Sequence, residues 1–320
     1  MIKITDLTLS CLDEYDASPE QLRKLCELLQ CIGVDYTEMS VDAYKKIGNL
    51  PQNGNYILKL KYRDEIYKHD EFGRFVCRHS GYGVPANVIS EIQANDIREI
   101  NSLRQYNMLE NVRITGFDDI LSHDYIQAFN SIKSIVKGKI ELCPEDKYYC
   151  ATAVAVEWIM QGGNFIAASF AGVGDKAALE EVLMALHLEK RHKPNISFSV
   201  FPEITQLIEE ITGSKIPTYK AVIGDNIFAV EAGIHADGIS KDPKIYEPFT
   251  PELVGSERKL VIGKHSGKTA ILLKLKELNL YYENVDLQKL LSLSQEKSIE
   301  KLGSLTDAEF IELFYSVEKE

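Results

Sequence analysis

A chain of 320 residues with 45% apolar content can bury enough core for one large domain and a smaller one. Its formal charge of −12 argues against nucleic acid as the main partner and against an anionic membrane surface. No apolar run approaches the roughly 20 residues of a membrane helix. The six cysteines form no C-x-x-C pair, and the opening MIKITDLTLS carries Lys3 and Asp6 where a signal peptide needs an apolar stretch, so a reducing cytoplasm is the expected compartment.

Residues 2–9 alternate apolar and polar side chains and predict a strand. Residues 18–33 carry the signals of a helix: Ser18 as cap, Pro19 in the first position, Gln21 to complete a capping box, an apolar face running from Leu22 to Ile32, and Gly33 as stop. A second strand is predicted at 34–40, with others at 56–62, 74–79, 111–117, 139–145 and 164–170. Helices fit at 88–106, 122–136, 149–160 and 176–191. This alternation predicts an α/β fold, a TIM-type (β/α) barrel over residues 1–200. The strand count is seven where a closed barrel needs eight, so either a βα unit is missing or one strand is unread.

Beyond the barrel, residues 201–212 read as a helix closed by Gly213, within a linker region taken as 201–268. The stretch 223–267 is dense in Gly, Pro, Asp and charged residues, the composition of an irregular α+β subdomain that presents side chains. Two of them move protons readily: His235, after the small residues Ala232 and Gly233, and Tyr246, after the Asp242-Pro243 turn signal. Helices follow at 269–278, 285–303 and 306–317, in a C-terminal subdomain of residues 269–320. They cannot make a large core alone and are expected to pack on the barrel or on a second subunit.

Glu231, Gly233, Ile234, His235, Asp237, Gly238, Lys241, Pro243, Tyr246, Glu247 and Pro248, together with the later VIGKHSG at 261–267, form a long ordered match. The segment resembles the linker subdomain of the homocitrate synthase and 2-isopropylmalate synthase family. That resemblance implies a barrel enzyme in which a divalent metal chelates a 2-oxo acid and polarises its carbonyl, while a base removes a proton from acetyl-CoA. It also implies that His235 and Tyr246 are catalytic. Glu231 either orients His235 or shares a helical face with it without contact.

The family's barrel motifs are eroded. The first falls on residues 6–14, where Asp6 stands at a metal-ligand position and Ser10 replaces the arginine that would stabilise an oxyanion. The second falls on 142–148, with Leu142 and Pro144 at the histidine positions, and the third on 171–175, with Ala171 for its asparagine. Asp6 alone is a remnant that cannot hold a catalytic cation. The chain therefore resembles the omega type of split homocitrate synthase. It is expected to bind no cofactor itself and to lend His235 and Tyr246 in trans to an alpha-type partner that carries Mg²⁺ or Mn²⁺, acetyl-CoA and the 2-oxo acid. The alternative is a non-catalytic regulatory or scaffolding protein of the same family.

Overall fold

Eight parallel strands close on themselves in strict chain order in this computed structural model, with β1 (Lys3–Asp6) hydrogen-bonded to both β2 (Tyr36–Ser40) and β8 (Phe165–Ala168). The structure describes residues 1–81, 83–190, 196–283 and 285–318, except for the side chains of Asp237 and Ser240. The first unit comprises 1–217 with 221–223, and the second comprises 218–220 with 224 onward.

In the first unit, β1 is followed by the single turn α1 (Thr8–Cys11) and then α2 (Pro19–Cys31), which begins at the predicted capping box. Ser18 accepts from the Gln21 backbone at 3.2 Å, and the Gln21 side chain accepts from the Ser18 backbone at 3.0 Å. The short α3 (Val41–Ile47) leads to β3 (Tyr56–Lys59) and β4 (Phe75–Arg78).

The missing strand lies inside the predicted helix. Residues Val88–Ala94 form β5, paired with β4 and with β6 (Asn111–Gly116), and only Ile97–Tyr106 is helical, of the 3-10 type. No βα unit is deleted. What has shrunk is the helical layer: a 3-10 turn at Arg63–Lys68 follows β3, and among the described residues no helix separates β4 from β5. The ring continues with α4 (Tyr125–Ile135), β7 (Lys139–Pro144), α5 (Ala151–Met160), β8 and α6 (Leu179–Leu188); the predicted end of α6 at residue 191 lies outside the described residues. Then α7 (Phe201–Thr212), ended by left-handed Gly213, packs against α2 within the same unit, with Lys24 and Glu203 paired at 2.9 Å.

The second unit holds a two-stranded parallel ribbon, β9 (Ala229–Val230) with β10 (Lys259–Leu260), and between these strands α8 (Gly233–Lys241). The helices α9 (Lys268–Glu277), α10 (Leu287–Lys301) and α11 (Asp307–Glu318) follow. They close a core of their own: Ile262, Ile271, Leu275, Leu290, Phe310 and Phe314 are all buried together. Ile262 of the linker region contributes to this core, beside the leucines and phenylalanines that recur at 3- and 4-residue spacing on the helices.

Candidate functional sites

Along a strand successive side chains point to opposite faces, so the contacts of one residue fix the direction of the rest. In β1 the Thr5 hydroxyl donates to Glu141 across the lumen, so Asp6 faces outward, into the layer between sheet and helices. There it is fully buried; Oδ1 accepts from the Thr8 backbone at 3.0 Å and from the Thr8 hydroxyl, while Oδ2 has no partner. Burial pushes the Asp6 carboxyl up to about 7, against the Thr8 hydrogen bonds that pull it down. In β7 the same alternation turns Glu141 and Cys143 inward and leaves Leu142 and Pro144 on the outer face.

The middle of the lumen is charged. Arg113, fully buried, donates through Nε to Glu141 at 2.6 Å and through Nη1 to Glu38, with Glu91 at 3.4 Å from Nη1. Lys59 stands 3.9 Å from Glu38 Oε1, the same oxygen that accepts from the Ser10 hydroxyl at 2.8 Å, while Arg113 takes Oε2. Although burial opposes its charge, Glu141, Glu38 and Glu91 together hold Arg113 well above the ordinary range. Three strand-borne glutamates and an arginine thus fill the level where most barrels stack branched apolar residues.

Above this layer Leu7, Cys143 and Ala167 pack with Cys11 into an apolar plug. Burial pushes the Cys11 thiol up to about 12 and raises Cys143 as well, so neither is a ready thiolate. At the mouth the loops are tied by Lys176 to Glu145 at 2.8 Å, Gln93 to Glu145 at 2.9 Å and Lys147 to Asp118 at 3.1 Å. Among the described residues no group of three or more His, Cys, Asp or Glu side chains is placed to hold a metal. The donors do not fit a divalent cation: the lumen carboxylates are turned onto one guanidinium, and Asp6 faces away from them.

The second unit brings together two of the residues singled out in the sequence. The His235 and Tyr246 rings lie 6.0 Å apart between centroids at 52°. His235 projects from the first turn of α8 and is exposed, while Tyr246, 45% exposed, ends the 3-10 turn Pro243–Ile245 that Asp242 caps. Gly238 makes the pairing possible, since a Cβ there would overlap the Tyr246 phenol. Gly233 lets the start of α8 approach α9, where a Cβ would meet the Ala270 nitrogen at 2.8 Å. The Asp237 side chain of the same motif lies outside the described residues.

Glu231 is placed otherwise. Its carboxylate accepts from the His265 backbone N–H and lies against Gly263, while its carbonyl accepts from Ser266 Oγ at 3.0 Å. Gln295 of α10 donates to the Ser266 carbonyl at 2.9 Å, so the Gly-Lys-His-Ser-Gly turn anchors α8 to the helical core. The sequence reading missed the whole charged layer of Glu38, Glu91, Arg113 and Glu141. Its visible signal is a charged residue in the middle of each of four apolar strands.

The first unit is thus a TIM-type barrel of eight parallel strands, and the second carries a surface His–Tyr pair. Residues 222–301 match the family described as "Homocitrate synthase post-HMGL domain-like". The chain is 32% identical over 313 residues to the homocitrate synthase omega subunit of Clostridium pasteurianum, covering 92% of this chain and 89% of that protein. It is 34% identical over 196 residues to homocitrate synthase 1 of Nostoc sp., and 36% identical over 206 residues to 2-isopropylmalate synthase 2 of Caldanaerobacter subterraneus subsp. tengcongensis. Of these last two it spans about half the length, 52% and 53%. The chain belongs to the homocitrate synthase and 2-isopropylmalate synthase family. Its barrel is also similar to the hydroxymethylglutaryl-CoA lyase of Pseudomonas aeruginosa, with a TM-score of 0.55 at 12% identity over 67% of this chain and 94% of that one, a likeness of fold alone. No helix among the described residues is long and apolar enough to cross a membrane.

Proposed function

We propose that this chain is the omega-type subunit of a heteromeric homocitrate synthase, lending His235 and Tyr246 to a reaction centre whose metal, 2-oxo acid and acetyl-CoA are held by an alpha-type catalytic partner. One observation carries the reading: the family's two proton-transfer side chains stand side by side on the surface of the second unit, while the carboxylates inside the barrel are consumed by Arg113. A barrel filled this way has no free ligand set to chelate a 2-oxo acid, whereas an exposed imidazole and phenol can serve an acceptor on another polypeptide. The similarity to a protein named omega subunit supports the division of labour.

In such a centre the imidazole of His235 moves the proton and the Tyr246 phenol donates to the oxygen on which charge develops. This chain's contribution is positional: α8 and the Pro243 turn hold the two rings in one place. The test is a reconstitution. Purified chain, candidate alpha-type subunit, acetyl-CoA, 2-oxoglutarate and Mg²⁺ or Mn²⁺ should condense only when both proteins are present. Replacing His235 by Ala should lower the rate by roughly 10²–10⁴-fold with assembly intact. Condensation by this chain alone overturns the proposal. An unchanged rate with His235→Ala, while omission of the chain still alters activity, transfers the assignment to a regulatory or scaffolding role.

A further inference from the structure

The N-terminal end of the barrel, opposite the strand ends that form the mouth, carries a cavity of about 560 Å³ that the proposed reaction does not use. Tyr36 and Tyr56 open β2 and β3, and Arg74 precedes β4, so the starts of three neighbouring strands deliver their side chains to one place. Tyr44 of α3, Phe72 and Glu71 complete the walls. The volume is that of a small-molecule site, which typically spans about 300–1,000 Å³.

Two opposite charges line this cavity, each secured by other partners. The Arg74 guanidinium lies over the Tyr36 ring, 4.6 Å from its centroid, and among the described residues forms no ion pair. Glu71 is held from behind by His69 Nδ1 at 3.4 Å and by the Tyr44 hydroxyl. Tyr44 is itself fixed edge-on to Phe72 at 4.9 Å and 88°. A plain anion entering the cavity would meet Glu71, and a plain cation would meet Arg74. A molecule bearing both charges satisfies both walls, and the rings beside them present apolar faces to its body.

We propose that this cavity binds a free α-amino acid with an apolar or aromatic side chain, its carboxylate on Arg74, its ammonium on Glu71 and its side chain against Tyr36, Tyr56 and Phe72. The site is independent of the assignment of His235 and Tyr246, because it is tested by binding to this chain alone.

Isothermal titration of the full chain with L-phenylalanine, L-leucine and L-methionine should give saturable binding by at least one of them at or below about 1 mM. N-acetyl-L-phenylalanine, which lacks the ammonium, and phenethylamine, which lacks the carboxylate, should each bind at least roughly tenfold more weakly than phenylalanine. Arg74→Gln and Glu71→Gln should each weaken the amino acid by a similar factor, while the fluorescence of the lone tryptophan, Trp158, and the circular dichroism stay unchanged. Should Arg74→Gln fail to fold, Arg74→Lys takes its place, with a smaller loss expected because the charge remains. No binding of any of the three up to about 10 mM overturns the proposal. Equal binding of N-acetylphenylalanine overturns the zwitterion assignment, and binding indifferent to both substitutions places the ligand elsewhere.

Discussion

The barrel and the second unit handle their polar side chains in opposite ways. Inside the barrel every charge of the central layer is turned on another: Arg113 on Glu38, Glu91 and Glu141, and Lys59 toward Glu38. On the second unit His235 and Tyr246 face solvent, and Glu231, four residues before the histidine, is spent on holding a turn. The first arrangement neutralises its charges internally, and the second leaves an imidazole and a phenol at the surface. Ion pairs buried at that depth persist only when both partners remain.

The strongest way to break this comparison is to orphan the lumen carboxylates. Arg113→Leu leaves three glutamates facing one another with only Lys59, 3.9 Å from Glu38, to offset them. The loss should be at least the roughly 3–5 kcal/mol that follows from removing one partner of a buried pair. Trp158 reports it cleanly, since it is the lone tryptophan and sits buried in α5 with its indole N–H on the Phe165 carbonyl at 3.1 Å. Urea unfolding followed by its fluorescence should show a midpoint far below that of the parent chain. A midpoint within experimental error of the parent would mean that the charged layer is not what holds the lumen together. His235→Ala, by contrast, should leave this signal untouched.

The charged layer also explains what could be read from the sequence and what could not. A strand with apolar residues on both faces, such as residues 164–170, was legible, as was the capped helix after Ser18. The strand Val88–Ala94 was not, because Glu91 and Gln93 face a polar lumen and mimic the solvent face of a helix that continues through Ile97, Ile100 and Leu103. The corrective signal lay in the same stretch: Asp96 and Glu99 form a capping box, which marks a helix start at Ile97. At the candidate site the motif located His235 and Tyr246, but sequence spacing could not reveal that Glu231 is engaged with His265. That contact joins residues 34 positions apart. Nor could it reveal that Asp6, Leu142 and Pro144 face away from the lumen, since a one-residue step on a strand reverses direction.

A smaller effect sharpens the same contrast through pH. Asp6 is raised from 3.8 to about 7 by burial, so the folded state favours its protonated form. Its contribution to stability is fully present below the unfolded value and is lost as pH rises through the folded one. The window therefore runs from about 4 to 7, and the full difference is worth roughly 4 kcal/mol. Asp6→Asn keeps the oxygen that accepts from Thr8 and removes the ionisation. The difference in unfolding free energy between variant and parent, read by Trp158 fluorescence, should grow in favour of the variant between pH 4 and 7 and level off above. A difference that stays flat across that window would show Asp6 to be ionised at no cost, with solvent reaching Oδ2.

The smallest expected effect decides what Glu231 does. If it oriented His235, Glu231→Gln would shift the pH profile of the reconstituted condensation, because the amide cannot support the imidazolium as a carboxylate does. Its placement against the His265 N–H and Gly263 leads to a different expectation. Glutamine retains an acceptor oxygen, so the turn should lose about 1 kcal/mol, the difference between a charged and a neutral hydrogen bond. Faster exchange of the His265 amide would register that loss. The apparent pKa values of the reaction should then stay where the parent pair puts them, with only a modest fall in rate as the α8 anchor loosens. A shifted profile with an unchanged His265 amide would instead tie Glu231 to the imidazole and make the histidine, the tyrosine and this carboxylate one functional unit.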